Sequence, residues 1–354
     1  MNVCVTNRLL AILTLAAGVA TGGPIGYFQT NLASDIGIAP NVDPNLKNPW
    51  GMSFGLTTPF WISDQATDLA TLYNGAGMPQ ALVVSTPPSP GPGATGQVFA
   101  GGLGFTMNTG GQALFVFATL AGTIDAWNSG AAAATQFTAT DGAVYTGLAQ
   151  VGSLLYAADT KNGKIDVFNS SFQKTTVSGS FANASVPAGL TPYDIQNVGG
   201  KLYVEYAKQG APGGFVGVFD ANGNVTQNIA DAHLNAPWGV TMAPAAFGQF
   251  GGDLLVGNFG DGKINAFDPV SGAFLGTLSN PNGTPIVNND LWALQFRSSS
   301  QTTFDSNTLF FTAGINNQAD GLFGEIQTAA PEPGTLSMLG LGVVALAFRK
   351  RATG

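Results

Sequence analysis

The sequence predicts an all-β chain, a six-bladed β-propeller of four-stranded antiparallel blades closed by an N-terminal strand that joins the last blade. Three observations carry this. First, 49 of the 354 residues are glycine and 20 are proline, and only 9% are charged, against roughly 25% in an average soluble domain. That composition suits many short strands buried on both faces and joined by tight turns. Second, residues 237–268 read as three short strands, 240–242, 254–258 and 263–268. The Gly251-Gly252 and Gly260-Asp261-Gly262 turns lie between them, where φ > 0 is needed. Third, this unit recurs with an aromatic near the end of strand three, at Tyr73, Trp127, Phe168, Phe219, Phe267 and Phe323, 41 to 56 residues apart. The spacing is close to the ~40–50-residue period of propeller blades. A sandwich of unrelated hairpins has no need of such an in-phase string.

Taken in order, residues 1–26 read as a secretory signal. Arg8 is its only charge, 9–17 is an apolar run, and Gly18-Val19-Ala20 is a small-residue cleavage context. Cys4, the single cysteine, falls inside it, so the exported chain has no disulfide and relies on a core of about 300 residues. Residues 28–33 form one isolated strand. The first blade runs 49–54, 60–64, 69–74 and 81–84, and the Pro/Gly-rich 86–96 is a linker without strand capacity. The second runs 104–107, 114–117 and 123–128, the third 146–149, 154–159 and 164–169, and the fourth 192–195, 202–205 and 215–220. The fifth is closed by 274–278. The sixth, 291–294, 309–312 and 322–326, has no fourth strand of its own. Pairing with 28–33 supplies one and covers an otherwise open sheet edge. The expected divisions are therefore 1–26, a propeller over 27–330, and a tail over 331–354.

The tail carries Pro331-Glu332-Pro333, an apolar run over 335–348, and Arg349-Lys350-Arg351. A helix over 334–348 would be ~22 Å long, short for a ~30 Å hydrocarbon core. It spans if its flanks adapt, with the basic end on the cytoplasmic side. These three parts in this order resemble the PEP-CTERM sorting signal, the alternative being an ordinary C-terminal anchor. The resemblance implies export by a Gram-negative bacterium, transient residence in the inner membrane, processing by an exosortase, and release to the cell surface or beyond, commonly alongside exopolysaccharide. The strings TNLASD, DPNLKNPWG, LYAADTKNGKIDVF and LLVGNFGDGKINAFDPVSGAFLGTL resemble an uncharacterised family of exported propellers that often carry this tail. That likeness implies no activity and no functional residues. More distantly, the blades are similar to the NHL-type repeat.

In an antiparallel meander, strand one begins on the face where strand two ends. That face gathers Trp50, Tyr193, Asp194, Trp238 and Trp292 with Asp64, Asp159, Glu205, Asn258 and Asp261. Asp64, Asp159 and Asn258 are expected as a polar rim outside the aromatics, with 208–214 and 314–321 as partial walls. Such a channel mouth suits a sugar ring or small ligand. Alternatively, the tryptophans wedge between blades and the Asp and Asn residues cap turns. Calcium takes six to eight oxygen ligands, and these loops offer some. Propeller lactonases place acidic and amide residues at strand-one starts, whereas here Asp194 is the only carboxylate there. His233 is the single histidine and no G-x-S-x-G elbow occurs, so a Ser-His-Asp triad is not indicated. The net charge of −8 disfavours nucleic acid. Between the terminal segments stand 8 basic against 19 acidic residues, which tolerates neutral sugars or cations and repels polyanions. The expectation is an exported, non-catalytic module binding a glycan, a small molecule or a surface protein, with exosortase and the export machinery as processing partners. The alternative is a divalent-dependent, lactonase-like hydrolase.

Overall fold

The computed structural model describes residues 26–297 and 306–329. The expected signal segment, but for Gly26, and the tail from 331 onward lie outside the described residues, and with them the transmembrane reading of 335–348. Among the described residues no helix is long and apolar enough to cross a membrane. The described chain is almost wholly β. Strands β1 (Tyr27–Ser34) and β2 (Asn41–Val42) precede the first blade, which is built of β3 (Pro49–Ser53), β4 (Phe60–Asp64), β5 (Leu69–Tyr73) and β6 (Val84–Ser85). Blade two holds β7 (Ala94–Phe99), β8 (Phe115–Thr119), β9 (Thr123–Trp127) and β10 (Ala134–Thr138). Blade three holds β11 (Tyr145–Val151), β12 (Leu154–Asp159), β13 (Lys164–Phe168) and β14 (Lys174–Thr175). Blade four is β15 (Thr191–Val198), β16 (Lys201–Ala207), β17 (Phe215–Phe219) and β18 (Val225–Ile229). Blade five is β19 (Pro237–Met242), β20 (Leu254–Asn258), β21 (Ile264–Phe267) and β22 (Phe274–Thr277). Blade six is β23 (Leu291–Phe296), β24 (Leu309–Ala313) and β25 (Leu322–Thr328), and its sheet order is β2-β1-β25-β24-β23.

The first strand of the chain therefore completes the last blade, antiparallel to β25 from Tyr27 opposite Thr328 to Ser34 opposite Leu322. The Tyr27 ring is fully buried against Phe247 and Phe250 of blade five. Its hydroxyl donates to the Phe247 carbonyl at 3.2 Å and accepts from the Phe250 N–H at 3.1 Å. Two-residue β2 then pairs in parallel with the outer edge of β1.

Each of the six blade-to-blade contacts is a separate apolar core. Trp61 and Leu72 of blade one meet Phe115 and Phe117 of blade two, and Val116 and Ile124 meet Leu155 and Phe168 of blade three. Tyr156 meets Ile195 and Phe219, and Val216 meets Val240 and Val256. Leu255 and Ile264 meet Leu294 and Phe311, and Phe310 and Phe323 meet Met52 and Ile62, which closes the ring. Near the axis the innermost strands press together because one position is kept small: Gly51, Gly96, Gly147, Gly239 and Ala293, with Asp194 in blade four. A Cβ added to Gly147 would lie 2.7 Å from Asp194 Cα, and one added to Gly239 would lie 2.7 Å from the Leu294 nitrogen. No side chain fits there.

Two expectations are corrected. Strand one of blade two is Ala94–Phe99, not 104–107, so the end of the Pro/Gly stretch is a strand. It was hidden because Ala94-Thr95-Gly96 packs against a neighbouring backbone and needs no large apolar side chain. Residues 105 and 107 are buried beside the strand, in a loop that makes only the Thr106–Gln112 bridge. In blade six, Ile326 and not Phe323 stands opposite the start of strand two, where Tyr73, Trp127, Phe168, Phe219 and Phe267 stand opposite its first or second residue in the other blades.

Tyr27→Ala is expected to cost about 3–5 kcal/mol, the range for truncating a buried aromatic. Removing 27–34 altogether should prevent a cooperative melt near that of the intact chain. Thermal unfolding checks both, and a truncated chain melting within a degree or two of the intact one contradicts closure by β1.

Candidate functional site

The residue just before that small position in each innermost strand reads Trp50, Thr95, Thr146, Tyr193, Trp238 and Trp292 around the blades, at one mouth of the ring. The ring is two-sided. In blades two and three the hydroxyls are spent on backbone and on a neighbouring hydroxyl: Thr95 Oγ1 donates to the Tyr145 carbonyl at 2.8 Å, and Thr146 Oγ1 lies 2.5 Å from Thr160 Oγ1. In blades four, five, six and one the aromatics form a single cluster. Trp50 stacks on Trp292 at 4.1 Å between ring centroids, and Trp238 meets both edge-on at 5.0 and 4.5 Å. Tyr193 packs on Trp238 at 5.9 Å and Phe259 on Trp292 at 4.5 Å. In blades one, five and six the residue just before the innermost strand is left-handed: Asn48 (φ 46°), Ala236 (φ 46°) and Asp290 (φ 52°). Such strain collects where a surrounding structure over-determines a site. Trp292 Nε1 donates to Asn48 Oδ1 at 3.0 Å, so one of these residues also fixes an indole.

Over this cluster lies a cavity of about 550 Å³. Its floor is Trp50, Trp238, Trp292, Tyr193 and Phe259, and its walls come from 207–212 of blade four, Asn235-Ala236, Gly260 and Gln318. Gln318 ends a run of three left-handed residues, Asn316, Asn317 and Gln318, with φ between 56° and 66°. Trp50, Trp238 and Trp292 are buried by one another, whereas Tyr193 and Phe259 stay half-buried and give the cavity its open aromatic faces.

The expected polar rim takes a different place. Asp64, Asp159 and Asn258 are fully buried and engaged in their own hairpins. Asp64 accepts from Thr71 Oγ1 at 2.6 Å, Asp159 accepts from Asn162 Nδ2 at 2.7 Å, and Asn258 Nδ2 donates to the His233 carbonyl at 2.7 Å and to Asp261 Oδ1 at 3.0 Å. None of them lines the cavity, and Asp261 lines two adjoining depressions instead. The turn-capping alternative thus describes the carboxylates and Asn258. Phe259, Asn235 and the blade-four loop are the wall residues that no strand pattern marks.

Beneath Tyr193, Asp194 stands directly opposite Glu205 across β15 and β16. Both are buried, and neither oxygen of Glu205 has a hydrogen-bond partner. Burial, with the nearby Asp194 charge adding to it, pushes the Glu205 carboxyl well up. Burial raises Asp194 to about 7, against a hydrogen bond from Gln196 that favours its charged form. Asp125 is likewise raised by burial to about 7. A carboxylate trio, Asp141, Asp159 and Asp166, has oxygens within 4.8 Å of one another. Lys164 bridges Asp141 at 2.7 Å and Asp166 at 3.1 Å, and Lys174 bridges Asp166 at 2.6 Å. Two ammonium groups already occupy the place a cation would take. His233, flat on Phe274 at 3.6 Å and bonded to Asp231 at 2.7 Å, lies outside the aromatic cavity.

Residues 329–351 match the PEP-CTERM protein-sorting motif, which implies export and sorting by an exosortase. Two uncharacterized proteins of Acanthamoeba polyphaga mimivirus are similar over most of the chain. R648 is 31% identical over 85% of this chain and 79% of its own length, and L690 is 30% identical over 82% of each. Among solved structures, a streptogramin B lyase aligns with 86% of this chain and 99% of its own at TM-score 0.53 and 10% identity. A virginiamycin B lyase from Staphylococcus aureus aligns with 85% and 98% at TM-score 0.51 and 11% identity. At such identity the likeness is one of fold alone.

The raised carboxyls set a pH dependence. A buried carboxyl with a raised pKa keeps its proton when folded, while the unfolded chain releases it near pH 4. Its stabilisation is therefore complete below that pH and declines as pH rises through the folded-state value of about 7 for Asp125 and Asp194. The melting temperature is expected to fall between pH 4.5 and 7.5, and Glu205→Gln, which keeps a neutral group there, should flatten that slope. A Tm that climbs with pH across this window in the parent chain contradicts the assignment.

Proposed function

The chain belongs to one family with the mimivirus proteins R648 and L690, and from that membership, the sorting motif and the cavity we propose that it is an exported, non-catalytic binding propeller. Its ligand, a glycan unit or a small molecule, sits over Tyr193 and Phe259 at the mouth of the axis. The observation that carries this reading is the cavity's make-up: five aromatic side chains under loop walls, without a histidine, serine, cysteine or carboxylate lining it among the described residues. Aromatic floors with a few polar wall groups are the common form of sites for rings. A histidine variant of virginiamycin B lyase is described as catalytically inactive. Here the single histidine is stacked and bonded elsewhere. The lactonase-like alternative needs an open set of oxygen ligands, and the acidic trio is already neutralised by lysines. In this reading the tail passes through the inner membrane, an exosortase cleaves it, and the propeller reaches the cell surface or the medium, where exopolysaccharide or a surface protein would meet the cavity.

A thermal-shift screen of neutral and acidic mono- and oligosaccharides and small metabolites on the purified chain identifies the ligand. Tyr193→Ala or Phe259→Ala should then weaken binding several-fold, since an aromatic contact contributes roughly 0.5–1.5 kcal/mol beyond area burial. Trp127→Ala, in the core between blades one and two, should lower stability and leave affinity unchanged. Equal losses of affinity at all three positions, or no ligand at all, contradict the reading.

Sorting is tested separately, in a host that has an exosortase. Alanines in place of Pro331, Glu332 and Pro333 should leave the chain uncleaved and held in the inner membrane, because the apolar run is unchanged. Normal release of the altered chain contradicts exosortase processing.

A further inference from the structure

Resting on the binding reading above, we infer that the ligand of the aromatic cavity carries a carboxylate on its ring, so that the site selects a small acidic ring over its neutral counterpart. The argument begins with charge. The segment between the terminal regions has 19 acidic and 8 basic residues. Among the described residues none of those carboxylates lines the cavity, and one of the basic residues, Lys208, does. Lys208 is exposed and makes no ion pair among the described residues. A chain that is acidic nearly everywhere thus presents a single cation and no anion at this one place.

Hydrogen-bond chemistry points the same way. Trp50 is nine-tenths buried, and its indole N–H has no partner. Leaving a buried donor unpaired costs roughly 1–3 kcal/mol, and indole can only donate. Trp238 makes no hydrogen bond through its indole among the described residues, whereas Trp292 and Trp127 each have an acceptor, Asn48 Oδ1 and the Gly130 carbonyl. Trp61, in the core between blades one and two, makes none either; of the three indoles without an acceptor among the described residues, Trp50 and Trp238 are in the cavity floor, and Lys208 is on its wall. Unpaired donors call for a ligand rich in acceptor oxygens, of which a carboxylate is the strongest.

Size and surroundings limit the class further. About 550 Å³ holds one or two rings. In the adjoining depressions Asp261 is paired with Lys263 at 3.0 Å, and Asp290 lines one of them without an ion pair among the described residues. Asp290 repels the next charge along a polyanion, so the preferred ligand has one carboxylate, whether a free hexuronate, the acidic end of a glycan, or an aromatic acid.

The experiment is a ligand-observed NMR titration of the purified full-length protein with D-glucuronate, D-glucose and benzoate, at low and at 200 mM salt. Glucuronate is expected to bind about fivefold more tightly than glucose at low salt, the upper end of an exposed ion pair. The advantage should shrink with salt, and in Lys208→Ala. Trp50→Phe, which keeps a ring and removes the N–H, should weaken glucuronate more than glucose. Benzoate binding without glucuronate binding supports the carboxylate and assigns an aromatic ring in place of a sugar. Glucose binding as tightly as glucuronate, or a preference that survives Lys208→Ala and high salt, overturns the inference while the binding reading stands. If none of the three binds and the wider screen is also empty, both fall.

Discussion

The structure depends on one antiparallel pairing, that of Tyr27–Ser34 with Leu322–Thr328. A propeller is a row of sheets whose ends must meet, and until they do, blade six presents an open edge and blade one an uncovered face. Supplying the outer strand of the last blade from the start of the chain joins the two ends through backbone hydrogen bonds. Tyr27 ties that strand to blade five, and Leu32 and Ala33 continue into the core shared with blade one. With no disulfide open to a chain with one cysteine, closure rests on this strand and on six interblade cores of the usual apolar kind.

Closure is also what makes the cavity. Glycines at one level of the innermost strands let neighbouring backbones approach until no side chain fits between them. The residues one place earlier must then gather at the mouth of the ring. Where they are threonines they are consumed by local hydrogen bonds. Where they are aromatic they pack on one another, and the space left above them becomes the cavity. The asymmetry between blades two and three and the other four is thus a direct consequence of which side chain follows each left-handed or β-bulged approach to the axis. The buried Asp194–Glu205 pair belongs to the same region: Asp194 takes the level that glycine or alanine holds in the other five blades, and its carboxyl faces a glutamate rather than water.

Much of this was legible in the sequence, and the parts that were not share a cause. Strand three of each blade shows itself because both its faces are buried and its end bears a large side chain, as in 123–127 or 164–168. Strand one of blade two did not, because Thr95 and Gly96 are chosen by a neighbouring backbone and not by apolar packing. The outer strands β10, β14 and β18 are short or polar on their exposed side and read as loop. In the site, Trp50, Tyr193, Trp238 and Trp292 could be placed on one face by strand direction alone. Phe259, Asn235 and Lys208 could not, since loop conformation puts them in the wall. Strand direction brought Asp64, Asp159 and Asn258 to the right face, but pattern says nothing about whether a polar side chain at a strand end turns out to solvent or back into its own hairpin. Here their partners Thr71, Asn162 and Asp261 turn them inward.

The central claim is that the closed ring presents one ligand site, over the indoles of Trp50, Trp238 and Trp292. The five tryptophans of the chain divide into these three and the pair Trp61 and Trp127, which lie together in the core between blades one and two. Indole N–H signals in a two-dimensional NMR spectrum, followed as a bound sugar or small acid is titrated in, therefore contain both the test and its control. The account predicts saturable shifts for Trp50 and Trp238, smaller ones for Trp292, whose N–H is held by Asn48, and still signals for Trp61 and Trp127. Shifts centred on Trp61 and Trp127, or equal shifts at all five, would contradict it.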